Sequence, residues 1–169
     1  VGYLCIGAQI LNSNNTGDIA GLTKVGGAAG YAGGNSVVSG CTNDGYITGN
    51  TTLGGIVGIA SETRLITECV NNGEVVGKSG KSGTGIAGIV GVTEYQNIQI
   101  TNCVNNGAIT FESGNYNAAG IVAVISDITT GKYILVDNCT NTANITAGRY
   151  GAGIVANNYD GVITNCTNS

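Results

Sequence analysis

Apolar residues recur along the chain in short runs separated by Gly and Asn, and the runs repeat as one unit. The third copy of the unit reads GGIVGIASETRLITECVNNGEVVG, and the fourth reads AGIVGVTEYQNIQITNCVNNGAIT. Runs this short and this rich in Ile, Val and Thr are typical of strands and lack the spacing of an amphipathic helix. Six copies follow one another, at residues 1–21, 26–49, 54–77, 87–110, 119–146 and 152–169.

Each copy has three apolar segments, which predict three short strands joined by turns. Gly or Asn stands at the joins, where turns require positive φ. One copy cannot bury its apolar side alone, so we expect the copies to stack at about 4.8 Å. The predicted fold is all-β: one domain over residues 1–169, forming a right-handed parallel β-helix (β-solenoid) of about six coils with three strands each.

Four sets of residues keep fixed offsets in the copies and are predicted to stack as ladders inside the solenoid. The first ladder is aliphatic and consists of Ile10, Val38, Ile66, Ile100, Val136 and Ile163. The second consists of Ser13, Cys41, Cys69, Cys103, Cys139 and Cys166. The third consists of Asn15, Asn43, Asn71, Asn105, Asn141 and Asn168. The last lies at the centre of a G-x-I-x-G pattern and consists of Ile19, Ile47, Val75, Ile109 and Ile145.

The string I-x-N-C-x-N-x-G-x-I, preceded by GGIVG, resembles the GLUG motif. That motif occurs in tandem in bacterial surface and secreted proteins, including immunoglobulin A1 proteases. The resemblance covers nearly the whole chain and implies a β-helix at an extracellular or cell-surface location, but no activity. The chain departs from the family in having Asn two residues after the Cys, and in having Ala143 where the fifth copy should have Gly.

Composition narrows the possible functions. Only 9% of residues are charged, the net charge is −4, and the six cations are scattered, so no basic stripe for nucleic acid is present. The apolar runs are too short to cross a bilayer, so membrane insertion is not expected.

The six cysteines leave two interpretations open. An even number of cysteines suggests disulfides in an oxidising compartment. We favour reduced thiols packed in the core, because ladder neighbours have parallel Cβ directions and Ser13 replaces Cys in the first copy. Neither C-x-x-C nor His occurs, so no metal or cofactor is expected.

Enzymatic motifs are weak. The Gly-rich stretch at residues 77–88 lacks the first Gly of a Walker loop and is interpreted as a loop between coils. Without His, no Ser-His-Asp system can form. Glu62 and Glu94 lie in the spacers of adjacent copies, and Glu68 stands where other copies mostly have Asn. We do not expect an enzyme, and these three acids are the residues to consider if the chain were one.

The sequence therefore predicts a structural or adhesive solenoid module, serving as a stalk, spacer or recognition surface. Variation concentrates in the spacers, which gives a predicted ligand-contact surface made of Tyr95, Tyr116, Tyr133, Lys78 and Lys81. The expected partner there is a glycan or a host surface protein. An alternative function is a carbohydrate-binding or polysaccharide-cleaving β-helix.

A further alternative is a filament subunit. No capping helix is apparent at either end, and the sixth copy stops before its last segment. We therefore expect either a fragment of a longer chain, stacked on flanking coils, or a unit that stacks end to end on copies of itself.

Overall fold

The structure, a computed structural model, describes residues 1–79, 85–95, 97–114, 116–126 and 133–169. Strands β1 to β27 lie in this part of the chain, which contains no helix. Within these residues there is accordingly no helix long and apolar enough to cross a membrane.

The strands follow the copies in order. The first copy has β1 (Tyr3–Leu4), β2 (Gln9–Leu11), β3 (Asn14–Asn15) and β4 (Ile19–Ala20). The second has β5 (Val25–Gly26), β6 (Ala29–Gly33), β7 (Val37–Ser39), β8 (Thr42–Asn43) and β9 (Ile47–Gly49). The third has β10 (Leu53–Gly54), β11 (Val57–Ser61), β12 (Leu65–Thr67), β13 (Val70–Asn71) and β14 (Val75–Gly77).

The remaining copies repeat this order. The fourth has β15 (Gly85–Ala87), β16 (Val90–Glu94), β17 (Ile98–Thr101), β18 (Val104–Asn105) and β19 (Ile109–Phe111). The fifth has β20 (Asn117–Ala119), β21 (Val122–Ile125), β22 (Ile134–Asp137) and β23 (Thr140–Asn141). The sixth has β24 (Gly151–Ala152), β25 (Val155–Asn158), β26 (Gly161–Thr164) and β27 (Thr167–Asn168).

Equivalent strands of successive copies pair in parallel and form five sheets. Sheet A contains β1, β6, β11, β16, β21 and β25; sheet B contains β2, β7, β12, β17, β22 and β26. Sheet C contains β3, β8, β13, β18, β23 and β27. Sheet D contains β4, β9, β14 and β19, and sheet E contains β5, β10, β15, β20 and β24. A full coil runs from sheet E through A, B and C to D, so the predicted parallel β-solenoid is confirmed.

Two details differ from the prediction. A full coil has five strands instead of three, because bends at Gly55–Ile56 and at Glu68–Cys69 each split one predicted segment in two. Sheet D has four strands, so about four turns are closed on every side, fewer than the six predicted. In the fifth copy, which has Ala143 in place of Gly, sheet D is reduced to a single bridge between Ile109 and Ile145.

The predicted aliphatic ladders stack in register and form the core. Ile66 pairs with Val38 below it and with Ile100 above it, and all three side chains are fully buried. Their cluster fills the space between sheets A and B. A second cluster lies between sheets D and E, with Ile47 and Val75 among its members. Each coil is thus held by the coil above and the coil below, as expected of a stacked repeat.

The Asn ladder runs unbroken through all six copies. The Asn43 amide nitrogen donates to Oδ1 of Asn71 (2.8 Å) and to the carbonyl of Gly45 (2.9 Å). The Asn71 amide nitrogen likewise donates to Oδ1 of Asn105 and to the carbonyl of Gly73, both at 2.8 Å. Five amide-to-amide bonds of 2.7–2.8 Å join Asn15, Asn43, Asn71, Asn105, Asn141 and Asn168.

The second Gly of the GGIVG segment makes room for this ladder. A Cβ atom on Gly55 would collide with the side chain of Asn71, and one on Gly88 would collide with Asn105. A larger residue would therefore displace an amide that is both donor and acceptor. The Gly of the GGIVG segment and the ladder Asn therefore recur together because the Asn side chain packs against the Gly.

The ladder cysteines form a buried column of free thiols. Cys41, Cys69, Cys103 and Cys139 are buried, Cys166 is partly buried, and each donates to backbone carbonyls, as Cys69 does to Thr67 at 3.2 Å. Coupling between neighbouring thiols raises the pKa of Cys41 and Cys103 and lowers the pKa of Cys69 and Cys139. Burial acts to raise the pKa at every one of them, since it disfavours a thiolate. Cys5 lies off the column and is exposed.

A left-handed turn precedes each ladder cysteine or serine. The residues there have φ between 46° and 63°, and they are Asn12, Gly40, Glu68, Asn102, Asn138 and Asn165. Gly and Asn tolerate this conformation, whereas other side chains are strained by it. Glu68 stands out from the sequence because it is the one residue of another type in this column.

Replacing Asn71 with Ala is expected to lower the free energy of unfolding by about 3 kcal/mol, because several buried hydrogen-bonding groups lose their partner. The neighbouring Asn72 is exposed, so Asn72→Ala should change stability by about 0.5 kcal/mol or less. Urea denaturation followed by circular dichroism measures both. Equal losses for the two variants would show that the ladder is not a major source of stability.

Replacing Glu68 with Asn is expected to raise the free energy of unfolding by about 1 kcal/mol, because Asn relieves strain at positive φ. The reciprocal change Asn102→Glu should destabilise the protein. The denaturation midpoints of both variants are the measurement, and a lower midpoint for Glu68→Asn would contradict the expectation.

A thiol reagent added to the folded protein is expected to label Cys5 first and Cys166 more slowly. The four buried thiols should react only after unfolding in denaturant, when all six are labelled. Peptide mapping by mass spectrometry locates the labels. Labelling of Cys69 or Cys103 at the rate of Cys5, or a disulfide between ladder neighbours, would contradict the packing.

Candidate functional site

The five residues of the predicted contact surface do not share one location. Lys81 lies outside the described residues. Tyr95 and Tyr133 lie in the connection from sheet A to sheet B, and Lys78 and Tyr116 lie in the connection from sheet D to sheet E. Two edges of the solenoid therefore need separate description.

Tyr116 is a core residue, which corrects its predicted place on the surface. Its side chain is fully buried, and its hydroxyl donates to the carbonyl of Asn50 at 2.6 Å. The ring lies over Gly77, where an added Cβ would be 2.9 Å from a ring carbon, and it packs at a tilt against Phe111. Burial raises the pKa of the Tyr116 hydroxyl. Because Gly77 leaves a gap that the ring fills, Tyr116 points inward.

The connection from sheet A to sheet B carries exposed tyrosines in three successive copies. Tyr95, Tyr133 and Tyr159 are 60%, 48% and 65% exposed. Tyr133 lies above Asn97, whose amide donates to its carbonyl at 3.1 Å, and the Tyr159 amide donates to the carbonyl of Ile125. We call these three residues the tyrosine edge. Their rings offer apolar faces to solvent and hydroxyls for hydrogen bonds.

The backbone of Tyr95 is strained. Its φ is +64°, a left-handed conformation that is uncommon for a bulky side chain. The equivalent corner is occupied by Gly34 and Glu62 in the two preceding copies, with φ of 61° and 53°. The corner geometry is thus imposed by the coil, and it turns the Tyr95 side chain outward regardless of residue type.

A groove runs along the outside of sheet D and spans the first three copies. Its volume is about 320 Å³, within the range of small-ligand sites. The lining is mainly apolar or small and consists of Ala20, Gly21, Leu22, Thr48, Gly49, Asn50 and Lys78. A larger cavity of about 500 Å³ opens at the last copy, beside Asn168 and Ser169, and we assign it no role.

Hydrogen bonds hold the rim of the groove in place. The Asn50 amide donates to the carbonyl of Leu22 at 3.1 Å, and the Lys78 amide donates to that of Gly49 at 2.8 Å. The Asn50 carbonyl accepts the Tyr116 hydroxyl. Tyr116 therefore supports the wall of the groove from the core, although it does not line it.

The groove lining includes two polar side chains that differ in exposure. Thr48 is only 7% exposed, and its hydroxyl oxygen is buried without a hydrogen-bond partner among the described residues. Lys78 is exposed, and the parallel register of β14 and β19 places Glu112 beside it on the next coil, where the Glu112 amide donates to the Gly77 carbonyl at 2.7 Å. A buried hydroxyl without a partner lowers stability.

Two of the aspartates accept side-chain hydrogen bonds from neighbouring coils. Asp44 accepts amide hydrogens from Asn14 and Asn72, at 3.2 and 2.7 Å. Thr164 and Asn165 donate to Asp137 and thereby lower its pKa. No group of three or more Cys, Asp or Glu residues in the described ranges is arranged to hold a metal ion.

Glu62 and Glu94 lie on adjacent coils, as their spacing in the sequence suggested. The Glu62 amide donates to the Glu94 carbonyl at 3.3 Å, so their backbones are neighbours. Glu68 occupies the strained turn already described, with φ of 55°, and lies on a different turn of the coil from Glu62.

Sequence reasoning missed Tyr159, Thr48 and Leu22. Tyr159 could have been found, because it follows the AGIVA segment of the sixth copy much as Tyr95 follows that segment in the fourth. Thr48 lies on β9 and Leu22 lies in the connection after β4, and neither position carries a signal for the groove in the sequence.

Comparison with known proteins identified no relative of this chain. The chain matches no protein-family model, and neither the curated proteins nor the solved structures contain a significant match.

Proposed function

We propose that the chain is a structural and adhesive β-solenoid module that presents recognition surfaces along a stiff rod at the cell surface or outside the cell. The observation that carries the proposal is that the residues that stack the coils differ from the aromatic residues that are exposed at the edge. Residues that recur in every copy make stacking bonds, and three exposed tyrosines, Tyr95, Tyr133 and Tyr159, occur in connections that differ between copies. The likeness of the repeat to the GLUG motif supports the surface location.

Stiffness follows from the ladders. A coil cannot move sideways without breaking an Asn amide bond, a strand pairing and a buried aliphatic contact together. A rod of this kind keeps its exposed groups at fixed spacings of about 4.8 Å per coil. Fixed spacing suits a partner that is itself a regular polymer.

Carbohydrate is the partner class that the tyrosine edge favours. Tyr rings stack on the apolar faces of sugars, and their hydroxyls bond to sugar hydroxyl groups. The three rings lie in consecutive copies, so a sugar chain running along the rod would meet one after another. The net charge of −4 favours neutral chains at this edge.

The triple variant Tyr95→Ala, Tyr133→Ala, Tyr159→Ala is expected to lose binding to glycans by roughly tenfold or more, since each ring contributes about 0.5–1.5 kcal/mol. A glycan array probed with labelled wild type and variant is the measurement. Circular dichroism should show an unchanged fold, because these side chains are exposed.

Tyr3→Ala provides the matched control, since Tyr3 is exposed on sheet A and stacks on Tyr31, away from this edge. The control should bind as the wild type does. Unchanged array binding by the triple variant would overturn the role of the tyrosine edge, and absence of binding to any glycan would overturn the adhesive function.

A further inference from the structure

We propose that Tyr3 and Tyr31 form an oxidative cross-linking site, at which a haem peroxidase and hydrogen peroxide join the two rings as dityrosine and tie the first coil to the second. The proposal is independent of the recognition role inferred above. It rests on the geometry of the pair, whose ring centroids are 4.8 Å apart and whose ring planes differ by 2°. No second stacked pair of tyrosines occurs in the described part of the chain.

The strand register places the two rings one above the other. β1 pairs in parallel with β6, and Tyr3 is the direct partner of Tyr31. Both rings lie on the outer face of sheet A, because the next residue, Leu4, points into the core. The distance between the ring centroids matches the usual spacing of neighbouring strands, about 4.8 Å. Equivalent ring carbons, including the carbons ortho to each hydroxyl, therefore face each other.

The two rings differ in how firmly they are held, and the difference suits a coupling reaction. The ring of Tyr31 lies over Gly33, where an added Cβ would be 2.8 Å from a ring carbon, and the Lys24 ammonium lies 5.0 Å from the ring centroid. Tyr3 is 66% exposed, so an oxidant can reach it and its ring has room to tilt. Holding two reactants this close replaces a slow encounter between separate molecules with a reaction inside one chain.

The reaction needs an external oxidant, which is hydrogen peroxide used by a haem peroxidase. Each tyrosine gives up one electron and its hydroxyl proton, and a radical shared between the oxygen and the ortho carbons remains. Pairing of the two radicals forms one carbon–carbon bond between ortho carbons. Each bonded carbon then loses its hydrogen as a proton, which restores the aromatic ring, while the phenolic oxygen regains a proton. The two electrons and two protons removed in total reduce one hydrogen peroxide to two molecules of water.

The cross-link would stabilise the first coil. It closes a loop between residues 3 and 31, which lowers the entropy of the unfolded chain. Among the described strands of sheet A, β1 pairs with β6 alone, so the first coil is held from one side. Because a covalent bond opposes the local opening of this coil, the amide hydrogens of β1 and β2 should exchange roughly tenfold more slowly after cross-linking.

The decisive experiment treats a dilute solution of the protein with a haem peroxidase and hydrogen peroxide. Cys5→Ser serves as the parent of every variant, because Cys5 is exposed and lies two residues from Tyr3, where its thiol would return a hydrogen atom to the tyrosyl radical. Dityrosine fluorescence measures the yield. Mass spectrometry of the digested protein should find residues 3 and 31 joined within one chain, and hydrogen–deuterium exchange follows β1 and β2.

Two variants separate this site from the other tyrosines. Tyr3→Phe keeps a stacked ring and removes the hydroxyl, so it should fold as the parent does and lose about tenfold or more of the fluorescence. The triple variant Tyr95→Ala, Tyr133→Ala, Tyr159→Ala should give the parental yield, whatever its glycan binding. Unchanged yield in Tyr3→Phe, or cross-links mainly between different chains, would overturn the site. Unchanged amide exchange in β1 after cross-linking would overturn its role in holding the first coil.

Discussion

The hydrogen bond between stacked Asn amides is the interaction on which the rest of the structure depends. It forms only when Asn side chains of successive coils are one strand spacing apart and point the same way. A register slip of one residue would turn each amide to the opposite face. Because Asn43, Asn71 and Asn105 are fully buried, such a slip would leave donors and acceptors unpaired at about 1–3 kcal/mol each. The ladder therefore fixes the register of sheet C, and through the continuous chain that of every other sheet.

Much of the unusual composition follows from this constraint. Gly55 and its counterparts are small because the amides of the ladder lie against them. The cysteines two residues before the ladder are small enough to stack and donate to carbonyls of their own coil and of the coil below. The residue before each ladder cysteine takes positive φ, which explains the recurrence of Asn and Gly there. Glu68 is the exception in this column, and it adopts the same positive φ because the coil geometry imposes it.

The ladders could be predicted from the sequence because each depends on a short offset that every copy repeats. The recurring spacing of Ile66, Cys69 and Asn71 predicts which positions stack. Stacking in register then predicts that each side chain contacts its equivalent in the neighbouring copies. The splitting of the strands could not be predicted, since it depends on bends at Gly55 and Glu68 inside segments that look continuous. Nor could the burial of Tyr116, because the connection that carries it varies between copies and its partner, Asn50, lies two copies earlier.

Tyr116 also shows how the regular core and the variable edges are connected. Its ring fills the gap above Gly77, and its hydroxyl holds the carbonyl of Asn50, a wall residue of the groove on sheet D. The groove thus has a wall fixed by the core, while the Lys78 side chain is exposed and lies outside the ladders. A solenoid can vary such a position without disturbing its ladders, because an exposed side chain contributes little to the stack. The residues that stabilise the stack and the exposed side chains at its edges are therefore different residues of the same coil, and the fixed coil spacing sets the distances between those exposed side chains.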